Sequence, residues 1–211
     1  MKIFNFGLPK TGTTSFHYFL LRNGVKSLHA NRGQINFLYP TEYNRYIAGI
    51  YSELDKYIEK FEAFSDLPWF SLADIVMERQ KEDYVFFATY RKSHLWAKSF
   101  YDMKIDNWYG NGKLLRTALR QKEMGKTIEN QNVVDYFDKI LQIKGLHVTP
   151  SQLISFYDNH YKKLQRLADK HRCKITILDC NKNTKTIVEQ LEEVITIKDR
   201  KYPHMNKTNT M

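Results

Sequence analysis

Short apolar runs alternate along this chain with longer segments of helical periodicity. Runs of this length and composition predict strands. They are KIFNF at 2–6, a shorter run VKSL at 25–28, FEAFS at 61–65, DYVFFATY at 83–90 and CKITILDC at 173–180. DYVFFATY is nearly continuous in apolar residues, as in the buried strands of parallel sheets.

Helical patterns lie between these runs. In SFHYFLLRNG, apolar residues recur at helical spacing from Phe16, and Gly24 ends the helix. Further helices are predicted over 42–60, 93–108, most of 113–171 with a start signal at Pro150, and 183–195 behind an Asn or Thr cap. Strands alternating with helices predict an α/β fold with a mostly parallel central sheet and helices on both faces. We expect one domain over 1–211 with a helical insertion at about 105–170.

The composition indicates a folded domain with an anionic partner. Of 211 residues, 42% are hydrophobic and 14% aromatic, which is typical of a folded rather than a disordered chain. The formal net charge of +10 favours a nucleotide, a nucleic acid, an acidic glycan or a membrane surface as partner. A soluble protein that is merely lysine-rich would carry the same charge.

The cysteines and the apolar segments predict a cytoplasmic protein. Cys173 and Cys180 are seven positions apart, and in a strand this odd separation places them on opposite faces, too far apart for a disulfide. No apolar stretch has the length of a membrane span, and the N-terminal residues lack the apolar core of a signal peptide. We therefore expect a soluble protein in a reducing compartment.

The run FGLPKTGTTSF at 6–16 has the glycine spacing of a phosphate-binding loop. Gly7 and Gly12 match the glycines of G-x-x-x-x-G-K-[ST], but Thr13 follows the second glycine and Lys10 precedes it. A loop between a strand and a helix directs backbone N–H groups and the positive end of the helix dipole toward one anion. The alternative is an ordinary strand-to-helix turn.

LPKTGTTSF resembles the 5′-phosphosulfate-binding loop of the sulfotransferases, whose pattern is close to P-[KR]-[ST]-G-T-T-[SW]. The resemblance implies a three-layer, P-loop-like α/β fold. It implies 3′-phosphoadenosine-5′-phosphosulfate (PAPS) as sulfuryl donor, adenosine 3′,5′-bisphosphate (PAP) as product, and no metal. Lys10 would also stabilise charge on the bridging oxygen, where phosphoryl transfer uses Mg²⁺ and an arginine. By this resemblance the 5′-phosphate is held by Lys10, Thr11, Gly12, Thr13, Thr14 and Ser15.

A second match lies in the middle of the chain. The sulfotransferases bind the 3′-phosphate of the donor with an arginine at the end of a strand and a serine eight residues later. Arg91 follows the run VFFATY, and Ser99 stands eight positions after it in RKSHLWAKS. By this resemblance Arg91 grips the 3′-phosphate bidentately and Ser99 helps to bind it. The alternative is that Arg91 caps the sheet edge and Ser99 is incidental.

A third match is KDRKYPHMN at 198–206. It resembles the K-G-R-x-[YFH]-P loop of the heparan-sulfate-type sulfotransferases, which closes over the donor. The resemblance implies that Lys198, Arg200 and Lys201 bind donor phosphates. Asp199 stands where that family has glycine, so the backbone of the loop need not be the same. The alternative is an exposed basic tail.

Two residues are candidates for the base that removes the acceptor's proton. His29 follows VKSL, and the bacterial-type sulfotransferases have a histidine at a similar place; Asp66 opens SDLPWF, which resembles their D-x-P segment. Both would lie at carboxyl ends of parallel strands, where open sheets bind ligands. Asp66 could be the base or hold His29 in one tautomer. The alternatives are a surface histidine and a helix N-cap; His17, His204 and Asn206 are weaker candidates.

The acceptor is predicted only as a hydroxyl or amine of a glycan or small molecule. Aromatic residues could line its site or fill the core; they are Trp69, Phe70, Trp96, Trp108 and Tyr109. A small-molecule or nucleotide kinase and an inactive PAP-binding protein stay open, although Asp179 is a poor fit for a kinase's metal ligand. We expect no nucleic-acid partner, because zinc-finger spacing, RNP-type aromatic motifs and recognition-helix signatures are missing.

Overall fold

A computed structural model describes residues 1–29, 53–103 and 149–203 of the chain. The strands in these ranges are β1 (Lys2–Asn5), β2 (Ser27–His29), β3 (Ala63–Ser65), β4 (Tyr84–Tyr90) and β5 (Ile175–Asp179). The helices are α1 (Thr13–Arg22), α2 (Glu53–Lys60), α3 (Ala73–Glu78), α4 (Ser93–Met103), α5 (Pro150–Lys170) and α6 (Thr184–Glu192), with a 3-10 turn at Trp69–Ser71. Each predicted strand is present, and its ends lie within two residues of the predicted ones.

The strands are parallel and lie in the order β2-β3-β1-β4-β5. This confirms the predicted α/β fold with a parallel central sheet flanked by helices. The chain leaves β1 toward β2 in one direction and leaves β4 toward β5 in the other. Ligands of open parallel sheets bind in the crevice between the carboxyl ends of two such strands. The ends of β1 and β4 are therefore where a ligand is expected.

Residues of β1 alternate between the two faces of the sheet, and each face has its own core. Ile3 belongs to a cluster with residues of α1 and α6, including Phe16. Phe4 faces the opposite side, where its ring lies 4.8 Å from that of Phe64 and 5.7 Å from that of Trp69. Each such ring contributes roughly 2–3 kcal/mol by burial, so both faces fix the orientation of β1.

Three of the aromatic residues considered for an acceptor site fill the core instead. Trp69 and Trp96 are 0% exposed and Phe70 is 3% exposed. Trp108 and Tyr109 lie outside the described residues.

The chain divides into two compact units. The first comprises Met1–Lys92 and Asn159–Met211 and holds the sheet, and the second comprises Ser93–Asp158. In the second unit, the ring of Trp96 stacks on Phe100 at 4.8 Å and packs against Tyr157 at 4.7 Å. Most of the predicted insertion at about 105–170 lies outside the described residues, which resume at 149.

Local signals for helix ends also agree with the structure. Gly24 follows the end of α1 with φ 82°, and Asn183 caps α6, its side chain accepting a hydrogen bond from the Lys185 N–H at 3.0 Å. Cys173 and Cys180 are free thiols. Within the described ranges, none of the helices combines the length and the apolar character needed to span a membrane.

Candidate functional site

The loop between β1 and α1 ends in a turn that presents several backbone N–H groups. Gly12 is the N-cap of α1, and its carbonyl accepts a helical hydrogen bond from the Phe16 N–H at 3.0 Å. The N–H groups of residues 12–15 therefore have no acceptor within the helix. The positive end of the helix dipole lies at the same place, and the first turn holds no acidic residue. This turn can bind an anion.

Both glycines of the loop are required by its geometry. Gly7 runs so close to β4 that a Cβ there would lie 2.6 Å from the Thr89 carbonyl oxygen and 2.8 Å from the Thr89 nitrogen. Gly12 has φ 102°, which side chains rarely adopt. Lys10, partly exposed, is also left-handed with φ 71°. Left-handed residues within a turn make backbone N–H groups converge, as in anion-binding nests.

Asn5, a buried polar residue at the end of β1, fastens this loop to β4. Its Oδ1 accepts hydrogen bonds from the Gly7 N–H at 2.9 Å and the Thr89 N–H at 3.0 Å. Its Nδ2 donates to the Thr89 hydroxyl at 3.2 Å, and both residues are 0% exposed. The motifs did not single out Asn5. The sequence feature that could have identified it is a polar amide within the apolar run KIFNF. A buried amide needs hydrogen-bond partners, so it indicates a structural contact.

Thr11 completes the same network from the loop. Its hydroxyl donates to the Leu8 carbonyl at 2.6 Å and lies 2.8 Å from the Thr89 hydroxyl. Its N–H also donates to the Leu8 carbonyl, at 3.2 Å. The sequence predicts Thr11 as a phosphate ligand, whereas its hydrogen bonds in the structure shape the loop. We therefore assign Thr11 a role in the loop's shape and leave it out of the proposed phosphate ligands.

His29 and Asp66 meet on the β3 side of the loop. Strands β2 and β3 are adjacent, and His29 is paired with Ser65, the residue before Asp66. The His29 Nε2 lies 3.3 Å from the Asp66 Oδ2, and the Thr13 hydroxyl donates to that oxygen at 3.0 Å. The same Nε2 is 3.2 Å from the Thr13 hydroxyl. These three residues are 2–4% exposed, so they form a buried polar cluster.

Asp66 is held as a carboxylate in this cluster. Burial alone would raise its pKa, but the hydrogen bond and charge of His29, with hydrogen bonds from the Leu67 N–H and the Thr13 hydroxyl, lower the pKa below its ordinary value. The Leu67 N–H donates to the Oδ1 at 2.8 Å. The Trp69–Ser71 turn has no side-chain cap. Asp66 therefore pairs with His29 and does not act as a helix N-cap.

Two more residues of α1 adjoin the pair. Thr14 is partly exposed, and its hydroxyl lies 3.5 Å from the His29 Nε2. His17 is buried, with its Nδ1 2.9 Å from the Ser27 hydroxyl and its ring 5.4 Å from that of His29. His17 thus packs between α1 and β2, whereas Thr14 is the more exposed of the two residues. Ser15, the next residue of α1, is buried.

Arg91 lies on the opposite side of the loop from His29. It directly follows β4, the neighbour of β1, and is partly exposed. Cys180, directly after β5, approaches the turn, because its Sγ is 2.8 Å from where a Cβ of Gly12 would stand. Burial, with the charge of Asp179, raises the pKa of Cys180 to about 12, although Arg91 opposes the shift. A neutral thiol therefore packs against the phosphate-type turn.

Ser99, the predicted partner of Arg91, lies in α4 of the second unit. It is 7% exposed, and its part in binding the 3′-phosphate stays a prediction.

The segment with Lys198, Arg200 and Lys201 lies at the other end of α1. Asn23, just after that helix, accepts hydrogen bonds from the Lys198 N–H at 2.7 Å and the Asp199 N–H at 2.8 Å through its Oδ1. Its Nδ2 donates to the Asp199 carbonyl at 3.1 Å. Helix α1 has 10 residues, which at the usual rise makes it about 15 Å long. The backbone at 198–199 is therefore about that distance from the phosphate-type turn.

Other contacts hold the same segment in place. The Arg200 guanidinium pairs with the Glu192 carboxylate, and the Lys201 carbonyl accepts a hydrogen bond from Arg22 at 3.1 Å. Tyr202 is 6% exposed. These contacts hold the segment at the end of α1 away from the loop, and a part for its three basic residues in binding the donor stays a prediction. His204 and Asn206 lie outside the described residues.

A family model described as a sulfotransferase domain matches residues 2–211, nearly the whole chain. The chain belongs to the sulfotransferase domain family. This confirms the resemblance of LPKTGTTSF, and it makes the protein a PAPS-dependent transferase. No curated protein matches the sulfotransferase.

Membership of the family decides the enzyme class that the loop alone left open. A sulfotransferase takes its sulfuryl group from PAPS, so a kinase is no longer an alternative for this chain. Over the three described ranges, no group of His, Cys, Asp and Glu residues could hold a metal ion. The family does not identify the acceptor.

His160 is a partly buried histidine that contacts the start of the phosphate-type loop. Its Nε2–H donates to the Phe6 carbonyl at 2.8 Å, at the start of the loop. Burial lowers the pKa of His160 from 6.5 to about 4; the hydrogen bond to Phe6 opposes this shift, and the charge of Lys163 adds to it. Between these two values the unfolded chain binds a proton that the folded chain does not.

We expect the free energy of unfolding to fall as the pH decreases from 6.5 toward 4. The contribution of His160 is at most about 1.4 kcal/mol per pH unit, with this sign because the unfolded state binds more protons. His160→Gln keeps a donor for the Phe6 carbonyl but cannot titrate, so its stability should depend less on pH. Chemical denaturation at about pH 7, 6 and 5 measures the free energy of unfolding of the wild type and of His160→Gln. Parallel pH dependence in the two would contradict this role.

Proposed function

We propose that this sulfotransferase binds PAPS across the carboxyl ends of β1 and β4 and transfers the sulfuryl group to a hydroxyl or amine of a glycan or small molecule. The observation that carries the proposal is an alignment along one edge of the sheet. In the strand order β2, β3, β1, β4, that edge carries His29, Asp66, the phosphate-type loop and Arg91. β1 and β4 are neighbouring strands, about 4.8 Å apart, so the loop after β1 and Arg91 after β4 are close enough for one nucleotide to reach both.

Separate groups serve the two phosphorylated ends of the donor. On the 5′ side, the N–H groups of residues 12–15, the hydroxyl of the partly exposed Thr14 and the Lys10 ammonium supply donors and positive charge. On the 3′ side, Arg91 supplies a planar guanidinium that can bind a phosphate through two hydrogen bonds. A part for Ser99 in binding this phosphate stays a prediction from the sequence.

His29 is the base in this proposal, and Asp66 orients it. The carboxylate of Asp66 already accepts hydrogen bonds from Leu67 and Thr13, and its lowered pKa makes it a weak base. The His29 Nε2 faces that carboxylate at 3.3 Å, so this nitrogen carries a proton. In the tautomer with its proton on Nε2, the ring has a lone pair on Nδ1, which can take the acceptor's proton.

Transfer requires that positive charge and a base act on opposite sides of the sulfur. The donor supplies a sulfuryl group whose bond to the 5′-phosphate oxygen breaks as the bond to the acceptor forms. Lys10 stabilises the charge that develops on the leaving oxygen. His29 holds the acceptor's proton after the new bond has formed. The chain's net charge of +10 suits an anionic donor and an acidic acceptor alike.

Binding of PAP and of AMP tests the donor site, since PAP has a 3′-phosphate and AMP does not. We expect Arg91→Ala to weaken PAP binding about 10- to 100-fold, the cost of losing a charge-assisted hydrogen-bonded pair. AMP affinity should change by less than about threefold, because AMP lacks the group that Arg91 binds. Isothermal titration calorimetry measures the affinity of each protein for PAP and for AMP.

Arg166→Ala is the matched control, because it removes an exposed arginine of α5. It should leave both affinities unchanged. Equal losses of PAP and AMP affinity in Arg91→Ala would refute the assignment of Arg91. Absence of PAP binding by the wild-type protein would refute the proposed donor site.

A further inference from the structure

Thr13 and Thr14 are neighbours in the loop motif, but the structure uses their hydroxyl groups differently. Thr13 is 2% exposed, and its hydroxyl donates to the Asp66 Oδ2 at 3.0 Å. Thr14 is partly exposed, and its hydroxyl is at the limit of hydrogen bonding, 3.5 Å from the His29 Nε2. The resemblance to sulfotransferases predicts both as phosphate ligands. Only Thr14 has a hydroxyl that is not already hydrogen-bonded to a carboxylate.

Proton counting fixes the roles within the buried cluster. The ionised Asp66 carboxylate can only accept hydrogen bonds. Its Oδ1 accepts a hydrogen bond from the Leu67 N–H at 2.8 Å, and its Oδ2 accepts one from the Thr13 hydroxyl. The Thr13 oxygen therefore presents a lone pair to the His29 Nε2, 3.2 Å away. The Thr13 and Asp66 oxygens lie closer to Nε2 than the Thr14 hydroxyl does at 3.5 Å, and both can only accept from it, so we assign a proton to this nitrogen.

We infer that Thr13 is a positioning residue, whose hydroxyl holds the Asp66–His29 pair in the tautomer with the proton on Nε2, and that Thr14 is the threonine whose hydroxyl faces the donor. This inference rests on the proposed function for the base role of His29. Thr13 opens α1, so its N–H belongs to the anion-binding turn while its hydroxyl belongs to the base pair. One residue thus connects the turn that binds the 5′-phosphate to the group that takes the acceptor's proton.

Two readouts separate a positioning role from a phosphate-binding role. The first is PAP affinity by calorimetry. The second is the tautomer of His29, which nitrogen-15 chemical shifts of the ring report at neutral pH. Thr13→Val keeps the shape of the side chain and removes the hydroxyl, Thr13→Ser keeps the hydroxyl, and Thr14→Val is the matched change one residue along.

We expect Thr13→Val to bind PAP within about threefold of the wild type, while the ring signals of His29 shift from their wild-type positions, because Nε2 loses the Thr13 oxygen and Asp66 loses the Thr13 hydroxyl donor. Thr13→Ser should restore the wild-type signals. Thr14→Val should weaken PAP binding about tenfold, the cost of one hydrogen bond to a charged group, and leave the His29 signals unchanged.

The opposite pattern would overturn the inference. If Thr13→Val loses PAP affinity as Thr14→Val does, and His29 keeps its wild-type signals, Thr13 is an ordinary phosphate ligand. A wild-type protein whose His29 carries its proton on Nδ1 overturns the inference by itself, even if no Thr13 variant folds. Failure of the wild type to bind PAP would instead refute the proposed donor site. The His29 signals are recorded without ligand, so they test the role of Thr13 separately.

Discussion

Replacing Gly7 by alanine is expected to weaken PAP binding strongly and to lower the stability of the whole protein. The added Cβ would lie 2.6 Å from the carbonyl oxygen and 2.8 Å from the nitrogen of Thr89. Both are backbone atoms of β4, so no side-chain rotation relieves the contact. The loop must move away from β4, which breaks the bond from the Gly7 N–H to Asn5. The anion-binding turn then loses its support.

Overpacking of this kind costs about 3 kcal/mol, which corresponds to a fall in Tm of roughly 6–12 °C for a chain of this size. PAP affinity should fall more than about 100-fold, because the N–H groups of the turn no longer converge. Differential scanning calorimetry and isothermal titration calorimetry measure the two effects. Mutating Thr89 to alanine as well should not rescue Gly7→Ala, because the contacts with the Thr89 backbone remain.

Gly24→Ala is the matched control. Gly24 has φ 82° but no atom within 4 Å of the added Cβ. Its replacement should cost only the strain of a left-handed alanine, about 1 kcal/mol, and leave PAP affinity unchanged. If Gly7→Ala and Gly24→Ala behave alike, the close approach to β4 does not support the loop.

Local sequence signals predicted the parts of the fold that depend on neighbouring residues. The strand, glycine loop and helix around Gly12 form one continuous segment, and each part has its own composition. The positions of His29 and Asp66 at strand ends were also predictable, since parallel strands end at the same edge. Their contact required one more fact, namely that β2 pairs with β3, and periodicity does not give the order of strands.

Side-chain direction and long-range pairing were not predictable. Asn5 and Thr89 are 84 positions apart, so no local pattern joins them. A motif gives the residue type at Thr11 and Thr13 but not which way each hydroxyl points, and both hydroxyls are engaged inside the protein. The sequence of the basic segment at 198–201 resembles a donor-binding motif. The motif does not predict that Asn23 binds the backbone of this segment at the end of α1 away from the loop.

The His29–Asp66 pair should carry the largest effect on the chemical step. His29→Gln removes the group that takes the acceptor's proton, so kcat should fall about 10²- to 10⁴-fold. Asp66→Asn keeps the size of the side chain but replaces a carboxylate oxygen near Nε2 by an amide group, which no longer fixes the tautomer. We expect a loss in kcat of about 10²-fold or more for this variant. PAP affinity should stay within about threefold in both.

Sulfuryl transfer from ³⁵S-labelled PAPS to a panel of hydroxyl and amine acceptors measures kcat, with the best wild-type acceptor used for all variants. His171→Gln is the matched control, because His171 also lies close to an aspartate, its Nε2 2.7 Å from the Asp74 Oδ1, but it precedes the amino end of β5. It should leave kcat unchanged. If His29→Gln keeps more than about a tenth of the wild-type kcat, another group takes the proton. The buried pair would then serve to hold β2, β3 and the start of α1 together, because Thr13, His29 and Asp66 would still share their hydrogen bonds.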